Sequence, residues 1–114
     1  MTCLAIIPVI AAMIVDGDTV RLSGSNARLM QATGVPFDAP KTWKPQCRYE
    51  ACLGSQATGF VRAAMPGQLC ITEVGNGGYG RDLGVLFCAD GRDVGQALIE
   101  AGLAVESRNA DWCR

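Results

Sequence analysis

The stretch Asp16-Gly17-Asp18-Thr19-Val20-Arg21-Leu22 decides the fold of this chain, because strand-like sequence lies on both sides of its Asp-Gly pair. Residues 9–15 are almost wholly apolar, and residues 19–22 alternate between polar and apolar side chains. Glycine adopts positive φ without steric cost, so the pair predicts a tight turn between two strands. The carboxylates of Asp16 and Asp18 lie at this bend, where they could either cap the turn or hold a hard cation.

Four further motifs follow at distances that suit the same fold. They are Asp38-Ala39-Pro40, Tyr79-Gly80-Arg81, the Asp90-Gly91 turn and Gly102-Leu103-Ala104. Together with the first turn, this ordered set resembles the thermonuclease family of staphylococcal-nuclease-like domains, over residues 8–105. Each motif alone is weak, whereas the five in order indicate the fold strongly and the activity less strongly.

The hydrophobic pattern of the whole chain predicts five strands and two main helices. The strands are expected at 8–16, 19–22, 27–32, 69–74 and 83–88, and the helices at 48–65 and 94–101. Apolar residues recur at helical spacing in the longer helix and form one face: Tyr49, Leu53, Ala57, Phe60 and Ala64. Five short strands with two helices suit a small closed barrel, which the resemblance implies is of the OB type. Residues 1–114 are interpreted as a single domain whose C-terminal part is shorter than is usual in the family.

The composition describes a globular chain without a basic surplus. Its apolar fraction is 49% and its net charge is −1, so long-range attraction of nucleic acid should be weak. The hydrophobic run at residues 4–15 lacks a basic N-terminal region and is too short to cross a bilayer. We interpret it as the first barrel strand and expect a soluble protein without a clear signal peptide or membrane partner, in an undetermined compartment.

Six cysteines are many for this length, but the chain has no histidine and no C-x-x-C motif, which argues against a zinc site. Cys52, Cys70 and Cys88 lie in apolar patterns and are interpreted as small core residues. Cys47 and Cys113 lie outside regular elements, each near a tryptophan. A disulfide between them would tie the C-terminus to the body of the domain, and the sequence leaves this pairing open.

The resemblance implies a calcium site beside the scissile phosphate. In the family, two aspartates and a backbone carbonyl help to hold one Ca²⁺ ion, and oxygen ligands suit that ion. Asp18, Asp38 and the carbonyl of Ala39 match these positions, whereas Asp16 matches a turn position. The alternative is that both aspartates only accept hydrogen bonds from loop amides.

Arg81 matches the family's arginine that binds the phosphate and stabilises the charge developing on it. A guanidinium group presents a fixed fork of donors to phosphate oxygens, which suits that role. The alternative is a solvated arginine after a turn.

Two positions depart from the family's pattern. Lys41 stands where a glutamate activates water, and Thr33 is the position counted for a strand arginine. Residues 34–37 read as inserted, so Arg28 could be displaced from that role or brought back by the loop. Glu50 is the only other acid near enough in sequence to replace the base. We hypothesise that Lys41 turns inward and replaces the metal, although a lysine at this position could also point to solvent.

Two functions are compatible with these residues. The first is a Ca²⁺-dependent phosphodiesterase that cuts DNA or RNA, with activity weakened or lost. The second is a catalytically inactive barrel that binds nucleic acid, a nucleotide or a protein partner. Losing a general base typically costs about 10²–10⁴ in rate and losing an electrostatic stabiliser about 10²–10³, so efficient catalysis is doubtful.

Overall fold

The computed structural model describes residues 1–114 and contains one six-stranded sheet and two α-helices. The elements are β1 (Ala5–Val9), β2 (Ile14–Asp16), β3 (Thr19–Leu22), β4 (Ser25–Leu29), α1 (Arg48–Ala63), β5 (Gly67–Glu73), β6 (Asp82–Phe87) and α2 (Val94–Glu100). The strand order is β1-β5-β6-β4-β3-β2, and every pair is antiparallel except β4 with β6. The sheet curls into a half-barrel with two helices, so the predicted OB-type fold is confirmed.

The first predicted strand is divided into two. A 3-10 turn at Ala11–Met13, closed by a hydrogen bond from the amide of Met13 to the carbonyl of Ile10, separates β1 from β2. The division lets the chain pair with β5 before the turn and with β3 after it. The predicted loop at 23–26 is also shorter than expected, because β4 already begins at Ser25.

One hydrophobic core fills the barrel and continues under both helices. Its largest fully buried apolar side chains are Phe37, Ile14, Leu29, Leu69, Leu86 and Leu98. Burying one such side chain stabilises the fold by about 1.5–3 kcal/mol, so these residues carry much of its stability.

Helix α1 packs on a face that is rotated from the predicted one. Its buried residues are Glu50, Gly54, Ala57, Thr58 and Val61. Tyr49 is 63% exposed, so the predicted face was wrong there, whereas Ala57 is buried and Phe60 and Ala64 pack against the core as predicted. An apolar pattern could not identify the buried face, because that face includes a glutamate and a glycine.

Two disulfides are present. Cys47 is bonded to Cys113, which answers the question that the sequence left open, and Cys3 is bonded to Cys70. Cys70 is buried as predicted, although its bond to Cys3 was not foreseen, and Cys52 is exposed rather than buried. Cys88 is a buried free thiol, as predicted.

The short helix α2 begins and ends as its sequence predicts. The carboxylate of Asp93 accepts a hydrogen bond from the amide of Gly95, and Gly102 adopts a φ of 75° just after the helix. Residues 104–114, which we call the C-terminal strap, contain no helix or strand and cross the barrel edge. Neither helix is both long and apolar enough to cross a membrane.

Candidate functional site

The Asp16-Gly17-Asp18 turn is buried beneath the helices. A Cβ atom on Gly17 would lie 2.9 Å from the Cβ of Ala39 and 3.3 Å from that of Ala57. Gly17 does not adopt positive φ. The predicted turn is present, but glycine is required there for close packing and not for its backbone conformation. This packing fixes Asp18, whose side chain is fully buried.

Two other buried acids hold the loop that carries Lys41. The Oδ1 atom of Asp16 accepts hydrogen bonds from the amide and the hydroxyl of Thr42, at 2.8 and 2.7 Å. Glu50 accepts from the amides of Lys41 and Gln46, at 3.2 and 2.8 Å. Because both oxygens of Glu50 bind backbone amides, its role here is to anchor the loop and it is not placed as a substitute base.

The ammonium group of Lys41 lies between the two aspartates that the resemblance singles out. Its Nζ atom is 2.7 Å from Oδ2 of Asp18, 3.3 Å from Oδ1 of Asp38 and 3.0 Å from the carbonyl oxygen of Ala39. This is the inward orientation that the sequence suggested. The three oxygens are those that the resemblance assigns to a calcium ion.

Arg28, on strand β4, is the second cation at the carboxylate pair. Its guanidinium lies 3.0 Å from Oδ2 of Asp18 and 3.3 Å from Oδ1 of Asp38, and it donates to the carbonyl of Phe37 at 2.7 Å. Thr33, in contrast, lies in an exposed turn and contacts neither aspartate. Of the two positions considered for the family's arginine, Arg28 therefore lies beside Asp38 and Thr33 does not.

The two carboxylates and two cations form an electrically balanced cluster. Burial alone would raise the pKa of the Asp18 carboxyl, but the charges of Arg28 and Lys41 and its hydrogen bonds hold that pKa below its ordinary value. Asp18 is therefore ionised at neutral pH.

The C-terminal strap covers the remaining side of Asp38. Its Oδ2 atom accepts hydrogen bonds from the amide of Ala110, at 3.2 Å, and from the indole nitrogen of Trp112, at 3.0 Å. A short antiparallel bridge also joins the backbones of Asp38 and Val105. Sequence reasoning missed these partners, since they are far away in the chain; the only signal was the tryptophan beside Cys113.

The donor set does not fit a calcium ion. All four oxygens of Asp18 and Asp38 already accept hydrogen bonds, as does the carbonyl of Ala39. Calcium takes six to eight oxygen ligands at about 2.3–2.6 Å, and it cannot share this space with the ammonium of Lys41. No group of three or more His, Cys, Asp or Glu side chains is arranged to hold a metal ion.

Arg81 lies beside the carboxylate pair and not within it. With Arg28 and Arg108 it lines a cavity of about 400 Å³ between the strands and the glycine-rich loop at 75–80. Its Nε atom donates to the carbonyl of Gly78 at 3.1 Å, which holds the side chain against that loop. Neither Arg81 nor Arg108 has an acidic partner within 4.0 Å, so both remain available to an anion.

A second cavity, of about 600 Å³, adjoins the other side of Arg81. Arg21 and Tyr79 also line it. The side chain of Tyr79 is fully exposed, and its ring centre lies 6.0 Å from the guanidinium carbon of Arg81. This surface therefore offers arginine donors next to an open aromatic face.

The curled barrel, with a carboxylate pair at its edge and an arginine beside it, defines a small OB-type domain of the nuclease-like class. A model of the family described as staphylococcal nuclease homologue matches residues 33–112, well over half of the chain. The chain belongs to this family. The match includes Asp38, Lys41 and Arg81, whereas Asp18 and Arg28 lie before it and are brought to the same site by the fold.

A curated relative matches a larger share of the chain. The succinoglycan biosynthesis protein ExoI of Rhizobium meliloti (strain 1021) is 33% identical over an alignment 104 residues long, and the alignment covers 83% of this chain. The alignment covers 50% of the relative, so the chain spans about half the length of that protein.

Proposed function

We propose that this chain is a catalytically inactive member of the staphylococcal nuclease family that binds single-stranded nucleic acid. The observation that carries the proposal is the ammonium of Lys41, which contacts Asp18, Asp38 and the carbonyl of Ala39 together. An ammonium at this point excludes a cation from the carboxylate pair by charge and by volume.

Hydrolysis of a phosphodiester needs an activated nucleophile and stabilisation of the negative charge that develops on the phosphoryl oxygens. Lys41 stands where the family has the glutamate that activates water, and a protonated amine cannot accept a proton. The charge of Arg28 is directed at the two carboxylates, which compete with a phosphate for it. Each such loss costs about two orders of magnitude or more in rate, so hydrolysis should be negligible.

Binding does not require the metal. Arg81 and Arg108 face the cavity without acidic partners, and Tyr79 offers a stacking surface next to them. Stacking of a base on an aromatic side chain is worth about 1–3 kcal/mol, and any base can provide it. Because the net charge is −1, these local contacts and not a general field must hold the strand. We therefore expect binding of modest affinity that depends on salt.

A polysaccharide is the competing class of ligand, because the curated relative is named for succinoglycan biosynthesis. Sugar rings also pack on aromatic side chains, so the exposed Tyr79 beside Arg81 suits either class of ligand, and a competition experiment separates them.

The test combines a cleavage assay with a binding assay. We expect no cleavage of single-stranded DNA by the parent protein, either with calcium or with a chelator. A short fluorescein-labelled oligothymidylate should bind, with Arg81→Ala weakening binding by about 1.5–3 kcal/mol. Arg92→Ala is the matched control, since Arg92 is exposed and paired with Asp90 away from the cavity.

Three outcomes would contradict the proposal. Calcium-dependent cleavage by the parent would show an active nuclease. Equal effects of Arg81→Ala and Arg92→Ala on affinity would show that Arg81 does not contact the bound strand. Succinoglycan that displaces the labelled strand more effectively than unlabelled oligothymidylate would indicate a polysaccharide ligand.

A further inference from the structure

We propose, on the basis of the nucleic-acid binding inferred above, that Arg108 is a further ligand-binding residue and that the Cys47–Cys113 disulfide positions it. The C-terminal strap carries Arg108 to the wall of the cavity that Arg28 and Arg81 also line. The side chain is exposed and has no acidic partner within 4.0 Å.

Arg108 and Arg81 are the two arginines of the cavity that have no acidic partner, because the third, Arg28, is already paired with aspartates. Arg28 contacts both Asp18 and Asp38, so most of its charge is balanced inside the protein. Arg81 and Arg108 come from separate segments, the loop before β6 and the strap. A phosphate group between two unpaired guanidinium groups would receive donors from both.

Hydrogen bonds hold the strap to the barrel where it follows α2. The amide of Asp38 donates to the carbonyl of Val105 at 2.9 Å, and the amide of Val105 donates back at 3.1 Å. One residue later, Glu106 accepts a hydrogen bond at 2.8 Å from the side chain of Gln31, which is buried. These contacts fix the position of the strap on the N-terminal side of Arg108.

The position of the strap on the C-terminal side of Arg108 depends on the Cys47–Cys113 disulfide. Cys113 is bonded to Cys47, which caps the start of α1 by accepting a hydrogen bond from the amide of Glu50. Between Arg108 and this bond, the only hydrogen bonds to the body of the domain are those of Ala110 and Trp112 with Asp38. Without the covalent bond, this end of the strap is held to the barrel only by these two hydrogen bonds and by the packing of the half-buried Trp112.

Separation of the strap would weaken anion binding in two ways. It would withdraw Arg108 from the cavity. It would also remove both donors from Oδ2 of Asp38 and expose a carboxylate oxygen next to the site. Both changes lower the positive potential that an anion meets there.

The second disulfide provides a matched control. Cys3–Cys70 spans 67 residues of sequence and Cys47–Cys113 spans 66, so each closes a loop of nearly the same length. Neither Cys3 nor Cys70 lines the arginine cavity. The two double-serine variants should therefore lose similar loop-closure stabilisation, while only one of them loses the position of Arg108.

The experiment measures binding of the labelled oligothymidylate by fluorescence anisotropy over a range of salt concentrations. Arg108→Ala should weaken binding about tenfold or more and reduce the salt slope by about 0.7, the value for one phosphate contact on a single strand. Arg108→Lys should retain the slope. Arg114→Ala is the control within the strap and should change affinity less than about twofold, because Arg114 is exposed, pairs with Asp111 and lies outside the cavity.

The disulfide variants complete the test. Cys47→Ser with Cys113→Ser should weaken binding at least as much as Arg108→Ala, and adding Arg108→Ala to it should have little further effect. Cys3→Ser with Cys70→Ser should leave affinity unchanged. The indole N–H resonance of Trp112 is followed by NMR without ligand, in a Trp43→Phe background that leaves a single tryptophan. It should shift in the variant that lacks Cys47–Cys113 and stay in place in the variant that lacks Cys3–Cys70.

The outcomes separate this inference from the proposed function. If the parent binds but Arg108→Ala does not change affinity or salt slope, Arg108 is not a ligand-binding residue. Equal weakening in both double-serine variants, or an unchanged Trp112 signal, would overturn the positioning role of Cys47–Cys113. If the parent does not bind the oligothymidylate at all, the proposed function itself fails, and the inference fails with it.

Discussion

The Nζ atom of Lys41 lies 2.7 Å from Oδ2 of Asp18, inside the group of oxygens where a nuclease of this family would hold its metal ion. Two unit charges about 4 Å apart interact by roughly 4 kcal/mol at an effective dielectric constant near 20, before solvation costs. A buried carboxylate pair without a nearby cation would repel by a similar amount. The ammonium of Lys41 therefore supplies positive charge that offsets this repulsion.

The identity of residue 41 should determine whether the protein binds calcium. The parent should give no calcium-dependent heat in titration calorimetry, because the ammonium of Lys41 occupies the site. Lys41→Glu removes that charge and adds a carboxylate, so calcium binding should appear. Lys41→Met is the control that removes the charge without adding a ligand, and it should bind calcium far more weakly than Lys41→Glu. Tight binding by the parent would show that the lysine does not replace the ion.

Arg28 should matter for stability far more than Thr33 does. Arg28→Ala leaves Asp18 and Asp38 with one cation instead of two, and breaking a buried pair in this way costs about 3–5 kcal/mol. Thr33→Ala changes an exposed turn and should alter the free energy of unfolding by less than about 0.5 kcal/mol. Urea unfolding of both variants measures the difference. Similar costs would mean that Arg28 does not stabilise the carboxylate pair.

Local motifs allowed part of this site to be predicted. Asp38 and Lys41 lie within four residues of each other, whereas the proximity of Asp18 to them was implied only by the resemblance to the nuclease family. Arg28 could not be assigned, because the sequence does not show whether inserted residues shift a strand or loop out. In the structure, Arg28 contacts both Asp18 and Asp38, and Thr33 lies in an exposed turn.

Contacts between distant segments were beyond the reach of the sequence. Nothing in the pattern places Trp112 on Asp38, although the two are hydrogen-bonded across 74 positions. The role of Gly17 was also misjudged, since a turn glycine suggests a special φ and the actual constraint is the adjacent Cβ of Ala39. Most strand and helix positions were predictable, because turns and helix ends are local properties, whereas the OB-type barrel was implied by the resemblance and the strand order was not predicted.

The two glycines of helix α1 should respond in opposite directions to alanine. A Cβ on Gly54 would lie 2.3 Å from the carbonyl oxygen of Lys41, so Gly54→Ala must displace the loop that carries this lysine. A Cβ on Gly59 would meet nothing within 4 Å. Gly59→Ala should therefore stabilise the protein by about 0.5–1 kcal/mol through helix propensity. Chemical denaturation checks both, and stabilisation by Gly54→Ala would show that the loop does not pack against α1 as described.

Stability should fall in acid because of Asp18. Its pKa in the folded protein is lower than the ordinary value of 3.8, so the unfolded chain takes up this proton at a higher pH than the folded one. The contribution is fully present above the unfolded pKa and is lost as the pH falls from there through the folded pKa. Lys41→Met removes one cause of the lowered pKa and should make the loss smaller. Urea unfolding at a series of pH values measures it, and equal pH dependence in parent and variant would contradict this account.

The two disulfides should differ in what they contribute to stability beyond loop closure. Loops of 67 and 66 residues each predict about 4 kcal/mol from chain entropy, so Cys3→Ser with Cys70→Ser should cost roughly that amount. Removing Cys47–Cys113 should lower the free energy of unfolding by more, because the strap then also loses its hydrogen bonds to Asp38. Hydrogen bonds to a charged group are worth about 1.5–3 kcal/mol. Trp112→Phe identifies the source of the excess, since it removes the indole donor to Asp38. It should destabilise the variant that keeps Cys47–Cys113 and have little effect on the one that lacks it. Equal effects of Trp112→Phe in the two backgrounds would show that the strap stays in place without its disulfide.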